Sequence, residues 1–191
     1  MLIRYTFIQV LTAMCLTSIV FCETSSQEDS ISSFIDTYIE SGNTHKARKF
    51  LDLLEKKYLP EALFLKGVAL LSGLYNNGTR NPREATIYFG KAAALKYPPA
   101  IAALADSYLD GDGAKKDEKV AFLLYKQAAD LNDGAAQFNV AILYRDGIGT
   151  KKSLKMALKY MRLAAKHQDL IHLREDAEEI INEIIEEKKH K

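Results

Sequence analysis

The sequence predicts an all-α protein, built as a solenoid of antiparallel helix pairs. The first observation is a repeat, because Ala85, Ala121 and Ala157 lie 36 residues apart (121 − 85 and 157 − 121). The second is that paired glycines recur between the helical segments, and the third is that each following segment opens on a helix-capping residue. A period of about 20–50 residues indicates stacked supersecondary units. Such arrays usually bind other proteins and rarely do chemistry.

Residues 1–22 have the pattern of a secretory signal peptide. One arginine precedes an apolar stretch from about Phe7 to Phe21, and no acidic residue interrupts it. Cleavage after Cys22 would leave Glu23 as the first mature residue, so we expect a secreted or periplasmic protein. The alternatives are an uncleaved segment that anchors the chain, since the stretch approaches the ~18 apolar residues of a membrane span, and lipid attachment at Cys22.

The charge and cysteine content narrow the class of partner. Lys and Arg number 26 and Asp and Glu 25, so the formal net charge is +1. A nearly neutral chain does not strongly attract nucleic acid or anionic lipid. We therefore expect no nucleic-acid partner, and membrane contact only through an uncleaved or lipid-modified leader. Both cysteines, Cys15 and Cys22, lie in that leader, so the rest of the chain must rely on its core and not on disulfides.

The segment before the repeats predicts a short tail and a helical hairpin. Residues 23–29 are polar and are expected to be flexible. Residues 30–58 predict the hairpin, with helices at Ile31–Glu40 and Thr44–Lys57 and a Ser-Gly-Asn turn between them. The core face of the second of these helices is expected to consist of Leu51, Leu53 and Leu54.

Three repeat units follow, at residues 61–97, 99–134 and 135–168. The second and third each begin with a helix rich in small residues, Ala100 to Tyr108 and Ala136 to Tyr144. Each of these helices stops at a glycine, and another glycine follows two residues later. Such glycines suit a left-handed C-terminal cap and a turn that needs φ > 0. They are Gly111 and Gly113 in one unit and Gly147 and Gly149 in the next.

The second helix of every unit is predicted to begin at a capping residue. Asn81, Asp117 and Ser153 lie 36 residues apart, and their side-chain oxygens can accept from free N–H groups of the first turn. Pro82 follows Asn81 at the first helical position. Asn132 is expected to end the middle helix in the left-handed conformation. That helix buries one face, through Val120, Ala121, Leu124, Tyr125 and Ala128.

The first unit is less regular than the other two. Gly73 matches Gly111 at an offset of 38 (111 − 73), so two extra residues are expected in the turn around residues 74–78. Lys66 takes a place that is apolar in the other units. We expect a weaker repeat here.

Residues 169–191 predict a C-terminal capping helix. Its outer side is acidic. Its apolar face consists of Leu170, Leu173, Ala177, Ile180, Ile181, Ile184 and Ile185. Repeat arrays need an end that buries the last apolar face and shows polar residues outward. The alternative is that this helix forms the seam of a homodimer.

The residues that recur in register make up a motif. They are Ala100, Tyr108, Gly111, Gly113, Ala121, Ala128, Ala136, Tyr144, Gly147, Gly149, Ala157 and Ala164. This pattern resembles the Sel1-like repeat, a relative of the tetratricopeptide repeat, over roughly residues 61–168. The resemblance implies a right-handed α-solenoid that acts as an adaptor in exported or membrane-associated complexes. It also implies that partners bind the concave face, which the first helices line.

Motifs for catalysis and for metal binding are missing from the sequence. It contains no Gly-rich phosphate loop, no H-E-x-x-H and no G-x-S-x-G, and its four histidines are scattered. We therefore expect no enzyme, no cofactor and no metal site. Some secreted Sel1-like proteins, the Helicobacter cysteine-rich group, are described as β-lactamase-like. This chain lacks their repeat cysteines and a paired S-x-x-K and K-T-G, which argues against such a hydrolase.

The sequence therefore predicts an exported adaptor or scaffold for a protein partner that the sequence does not identify. The alternative is an inhibitor or immunity protein for a toxic enzyme. The candidate binding residues, expected to face outward on the first helices, are Leu63, Asp106, Gln137 and Arg145. An exposed leucine at position 63 would invite an apolar contact. The turns that hold Lys115-Lys116 and Lys151-Lys152 either present a positive edge to an acidic partner or simply keep the turns soluble.

Overall fold

The computed structural model describes residues 44–56, 59–75, 78–167, 180–182 and 185. Every described residue belongs to one compact unit, Asn43–Lys191. The predicted signal peptide, the polar tail and the first helix of the hairpin lie outside the described residues. No strand occurs among the residues listed above, and none of their helices is long and apolar enough to cross a membrane.

The described residues form an ordered series of helices. These are α1 (Thr44–Glu55), α2 (Pro60–Leu71), α3 (Pro82–Ala94), α4 (Pro98–Asp110), α5 (Glu118–Asp130), α6 (Gly134–Asp146) and α7 (Leu154–Ala164). The first helices of the three repeats are α2, α4 and α6, and the second helices are α3, α5 and α7. The all-α solenoid that the sequence predicts is confirmed.

Each internal first helix packs against two second helices. Helix α4 contacts both α3 and α5, and α6 contacts both α5 and α7. The alanines of the second-helix register, Ala85, Ala121 and Ala157, are all fully buried, which lets the helix backbones approach closely. Two hydrophobic clusters result, one that includes Phe89 and one that includes Tyr125.

The predicted caps of the second helices are all present. Asn81 Oδ1 accepts a hydrogen bond from the Glu84 amide at 3.3 Å. Asp117 Oδ1 accepts from two amides, at 3.0 and 3.1 Å, and Ser153 Oγ accepts from one at 3.4 Å. Asn132 ends α5 with φ of 67°, as predicted. Three different side chains therefore meet one requirement of the helix N-terminus.

The two glycines of each turn are required for different structural reasons. Gly111 and Gly147 both have φ of 78° and cap their helices in the left-handed conformation. At Gly149, a Cβ would overlap the carbonyl oxygen of Glu118, the first residue of α5. At Gly113, a Cβ would likewise overlap the carbonyl oxygen of Pro82. The second glycine is thus the point where the turn of one unit rests on the preceding second helix.

The turn of the first unit is longer than the others, as the offset of 38 predicts. Residues 72–81 join α2 to α3, whereas residues 111–117 and 147–153 join the later helix pairs. Gly73 keeps the left-handed conformation of its counterparts, with φ of 80°. The added length therefore lies after the helix cap.

Helix α1 has the buried pattern of a second helix. Ala47, Leu51 and Leu54 are 0%, 0% and 3% exposed, and they match Ala85, Phe89 and Ala92 at an offset of 38. The prediction that Leu53 belongs to this core face is wrong, because its side chain is 62% exposed. The buried residues follow i, i+4 and i+7 spacing, and Leu53 points away from that face.

The end of the array is covered by two isoleucines of the predicted capping helix. Ile180 and Ile181 are helical and half-buried, and they pack against the cluster that includes Tyr125. The remainder of the predicted helix, except residues 182 and 185, lies outside the described residues, and so do most residues of the predicted dimer seam.

Candidate functional site

The first helices present a row of side chains that differs from unit to unit. The row holds Val68, Asp106 and Ile142, at offsets of 38 and 36 (106 − 68 and 142 − 106). Val68 is 40% exposed, Asp106 is exposed and Ile142 is half-buried. We call these three residues the first-helix row. Their chemistry varies although the helices that carry them are equivalent.

The buried residue behind the row varies as well. In the middle unit the Tyr125 hydroxyl donates a hydrogen bond to the Asp106 carboxylate. The equivalent buried places hold Phe89 and Met161, which are 1% and 0% exposed. These two units carry apolar residues in the row, and the middle unit carries a polar pair. In each unit, the buried residue therefore has the same polar or apolar character as the row residue.

Burial shapes the electrostatics of the Asp106–Tyr125 pair. Desolvation raises the pKa of the Asp106 carboxyl, the hydrogen bond from Tyr125 opposes that rise, and nearby Asp110 adds to it. Desolvation together with Asp106 raises the pKa of the Tyr125 hydroxyl, so Tyr125 remains a neutral donor. Asp110 is exposed and forms no ion pair with another described residue. The middle unit thus offers acidic groups between two apolar ones.

The prediction that Leu63 and Gln137 face outward is wrong, because they are 1% and 3% exposed. Together with Ile101 they share one register of the first helices. Leu63 lies in the core cluster that includes Phe89, and Gln137 faces the preceding unit. There Gln137 Nε2 donates to the carbonyl of Ala129 at 3.4 Å and to Asn132 Oδ1 at 3.3 Å. A first helix within the stack buries two sides, and the periodicity of one helix does not reveal the second.

The other two predicted residues lie at the surface but in different registers. Asp106 is exposed, and Arg145 is half-exposed. The Arg145 guanidinium donates to the neighbouring Asp146 carboxylate at 2.8 and 3.0 Å. Its counterpart in the middle unit is Leu109 (145 − 36), so Arg145 lies one turn beyond the row. Sequence reasoning missed Val68 and Ile142, which the repeat offsets applied to Asp106 would have identified.

A buried lysine replaces the apolar residue that the other units have in the same place. Lys66 is 8% exposed. Its Nζ donates to Asp52 at 2.7 Å and also to Glu55. The Tyr88 hydroxyl donates to Glu55 at 2.8 Å, and the Tyr75 hydroxyl donates to Asp52 at 3.1 Å. This ionic cluster joins α1 to the first repeat.

At neutral pH the ionic cluster is held in one charge state. Desolvation alone would lower the pKa of Lys66, but the hydrogen bonds to Asp52 and Glu55 outweigh it and raise the pKa. For Glu55, desolvation is outweighed by Lys66 and Tyr88, so its pKa is lowered. A lysine acts as a nucleophile or base only where its pKa is depressed. The cluster is therefore structural.

An open cleft of about 700 Å³ lies between the start of α5 and the turn of the third unit. Its lining consists of Lys116, Asp117, Glu118, Lys119, Gly147, Gly149, Thr150 and Lys151. Lys116 forms an ion pair with Glu118 at 3.2 Å. In the part of the chain that the structure describes, no three His, Cys, Asp or Glu side chains are grouped as metal ligands.

Comparison with known sequences identifies the repeats. A sequence profile of the Sel1 repeat matches residues 60–97, 98–133 and 134–169, more than half of the chain. The chain belongs to the Sel1 repeat family. A search among curated proteins found no match. Sel1 repeats typically mediate protein–protein binding, and the family is generally non-catalytic.

Solved structures of other Sel1 repeat proteins are similar to this chain. A Sel1 repeat protein from Oxalobacter formigenes has 29% identity and a TM-score of 0.64, over 71% of this chain and 55% of its own. A protective antigen of uropathogenic Escherichia coli strains, c5321, has 30% identity and a TM-score of 0.58, over 62% of this chain and 25% of its own. Helicobacter pylori cysteine rich protein B has 27% identity and a TM-score of 0.50, over 63% and 92%. The chain thus spans about half of the first relative and a quarter of the second.

Proposed function

We propose that this Sel1 repeat protein is an exported scaffold of the cell envelope that binds a partner protein through the first-helix row. The observation that carries the proposal is the contrast between the row, which varies from unit to unit, and the residues that recur in every unit. Caps, turn glycines and buried alanines recur in register, whereas Val68, Asp106 and Ile142 differ in chemistry. The recurring residues satisfy the fold, and the row is free to specify a partner.

The chemistry of the row indicates the kind of segment that would fit it. Two aliphatic side chains lie on either side of a carboxylate, and the Tyr125 hydroxyl holds that carboxylate in place. A partner segment with a basic or hydrogen-bond-donating side chain between apolar ones would complement it. A preformed acceptor loses little freedom on binding, which favours affinity.

Export is supported by the sequence of residues 1–22, which has a basic start and an apolar stretch. Those residues lie outside the described part of the chain. The absence of cysteine after Cys22 fits a domain whose stability comes from alanine-rich helix packing alone.

Affinity capture from the native cell envelope tests the row as a binding face. Val68→Asp places a charge at one end of it, and Asp106→Asn removes the central charge but keeps an acceptor for Tyr125. We expect each variant to recover at least about fivefold less partner, since a mismatched polar contact costs about 1–3 kcal/mol. Gln127→Asp, at an exposed position of α5, is the control and should recover the wild-type amount. Wild-type recovery by both row variants, with unchanged helicity, would refute the proposal.

A further inference from the structure

The exposed side of the second helices carries basic and aliphatic residues in register. Equivalent positions of the three second helices form a column. One column, Arg83, Lys119 and Lys155, is basic in every unit, and the column four residues later is mostly aliphatic. Together they comprise Arg83, Lys119, Lys155, Ile87, Leu123 and Lys159. We call these six residues the second-helix stripe. All six are exposed, and Ile87 and Leu123 are 59% and 63% exposed.

Charge is divided between the two sets of helices. Helices α3, α5 and α7 carry seven Lys or Arg and three Asp or Glu. Helices α2, α4 and α6 carry two and four. The whole chain is nearly neutral, but its second helices carry an excess of basic residues. A local field of one sign attracts counter-charged partners even where the net charge is small.

The acidic residues of the second helices are already engaged. Glu84 accepts from Asn81 Nδ2 at 2.7 Å, Glu118 pairs with Lys116 at 3.2 Å, and Asp130 pairs with Lys126 at 2.8 Å. By contrast, the basic column of the stripe, Arg83, Lys119 and Lys155, forms no ion pair with any residue that the structure describes. The positive charge of this basic column is therefore available to an external partner.

We propose that the second-helix stripe binds an anionic lipid surface. Lysine and arginine attract lipid phosphates, and aliphatic side chains on the same face enter the boundary between headgroups and acyl chains. Protein interfaces favour aromatic residues and disfavour lysine, but the stripe has several lysines and no aromatic residue. Single-stranded nucleic acid favours aromatic stacking, and Ile87 and Leu123 would have no role in such a complex.

Neighbouring residues extend the same surface. In α1, Lys49 is exposed and Leu53 is 62% exposed, and Lys49 aligns with Ile87 at the offset of 38 that relates α1 to α3. At the other edge, Lys151 of the third-unit turn lines the same cleft as Lys119, so this lysine lies beside the stripe. The stripe lies on different helices from the first-helix row. The inference therefore stands independently of the proposed function.

Vesicle flotation with the purified full chain tests this inference. We expect binding to phosphatidylcholine vesicles that contain 30% phosphatidylglycerol, and little binding to pure phosphatidylcholine. Lys119→Gln with Lys155→Gln should lower the partition coefficient about 25-fold, since each basic residue near an anionic surface contributes about fivefold. Ile87→Ser with Leu123→Ser should lower it at least about tenfold. Lys96→Gln, at an exposed position after α3 and outside the stripe, is the control and should bind as wild type.

Two results would overturn the inference, provided that all variants keep wild-type helicity and melting. One is equal binding of wild type to both kinds of vesicle. The other is unchanged binding of either stripe variant to the anionic vesicles, since binding would then come from another part of the chain. Wild-type partner capture by the stripe variants would show that the first-helix row acts separately.

Discussion

At the scale of single residues, the turn glycines have one role that is local and one that depends on the neighbouring unit. Their left-handed conformation follows from the sequence, because a glycine after a helix is the usual cap. The contact of Gly149 with Glu118 does not follow from it, because these residues are 31 positions apart (149 − 118) and meet only when the units stack. Gln137 was mispredicted for the same reason, since it donates to Ala129 and Asn132 of the preceding unit. Leu63 was mispredicted because it belongs to the core cluster that includes Phe89.

The Gly149 contact predicts a large effect of one methyl group. Gly149→Ala should destabilise the protein by about 2–4 kcal/mol, because it adds left-handed strain to an overlap with backbone atoms. Gly90→Ala is the matched control, since Gly90 lies inside α3 and a Cβ there meets nothing within 4 Å. That variant should stabilise by about 0.5–1 kcal/mol. Urea unfolding followed by circular dichroism measures both, and a neutral Gly149→Ala would show that the units do not stack as described.

The ionic cluster predicts a dependence of stability on acid. The pKa of Glu55 is lower in the folded protein than its usual value of 4.5. Its contribution is therefore fully present above about pH 4.5 and is lost as the pH falls through the folded value. Glu55→Gln should be less stable than wild type at pH 7 by about 1 kcal/mol, and the difference should shrink towards pH 3. A difference that persists undiminished at pH 3 would contradict the assigned charge state.

At the scale of elements, the sequence predicted the existence and type of the helices better than their ends. Helix α4 begins at Pro98 and α6 at Gly134, two residues before the predicted starts. Asp133 Oδ1 accepts from the Ala136 amide at 2.7 Å, so α6 has a cap that does not recur, because the equivalent Tyr97 before α4 makes no capping bond with its side chain. Helix existence rests on periodicity along one segment, whereas helix ends depend on local capping.

Capping by Asp117 can be tested with two substitutions. Asp117→Ala removes the acceptor for the Lys119 and Val120 amides and should destabilise the protein by about 1 kcal/mol. Asp117→Asn keeps an acceptor oxygen and should change stability by a few tenths of a kcal/mol. Thermal unfolding of both variants distinguishes them. Equal loss in the two would mean that the charge of Asp117, and not its acceptor geometry, supports the start of α5.

At the scale of the whole molecule, the described helices form one stack with two chemically different sets of exposed residues. First helices expose acidic and apolar residues, including Val68 and Asp106, and second helices expose basic and aliphatic ones. Net charge could not predict this division, because it sums over both sets. The helical repeat with its caps was predictable from one chain, since each feature recurs. Of the first-helix row, only Asp106 was predicted, because the residues of the row do not recur in type. The repeat offsets lead from Asp106 to Val68 and Ile142, but they give the place of these residues and not their role.

Export predicts a defined N-terminus. Cleavage after Cys22 would give a mature chain that begins at Glu23 and contains no cysteine. Intact mass spectrometry of the protein from the native envelope fraction measures this directly. A full-length mass in the membrane fraction would favour the uncleaved anchor, and a full-length mass in the cytoplasm would contradict export.

Site-specific photo-crosslinking at the first-helix row tests the central claim most directly. A photoreactive amino acid replaces Val68, which is 40% exposed, and a matched sample carries it at Gln127 on α5. After irradiation in the native cell, we predict one crosslinked partner protein from position 68 that is missing from position 127. Crosslinking of that partner at position 127, with none at position 68, would contradict the assignment of the first helices as the binding face.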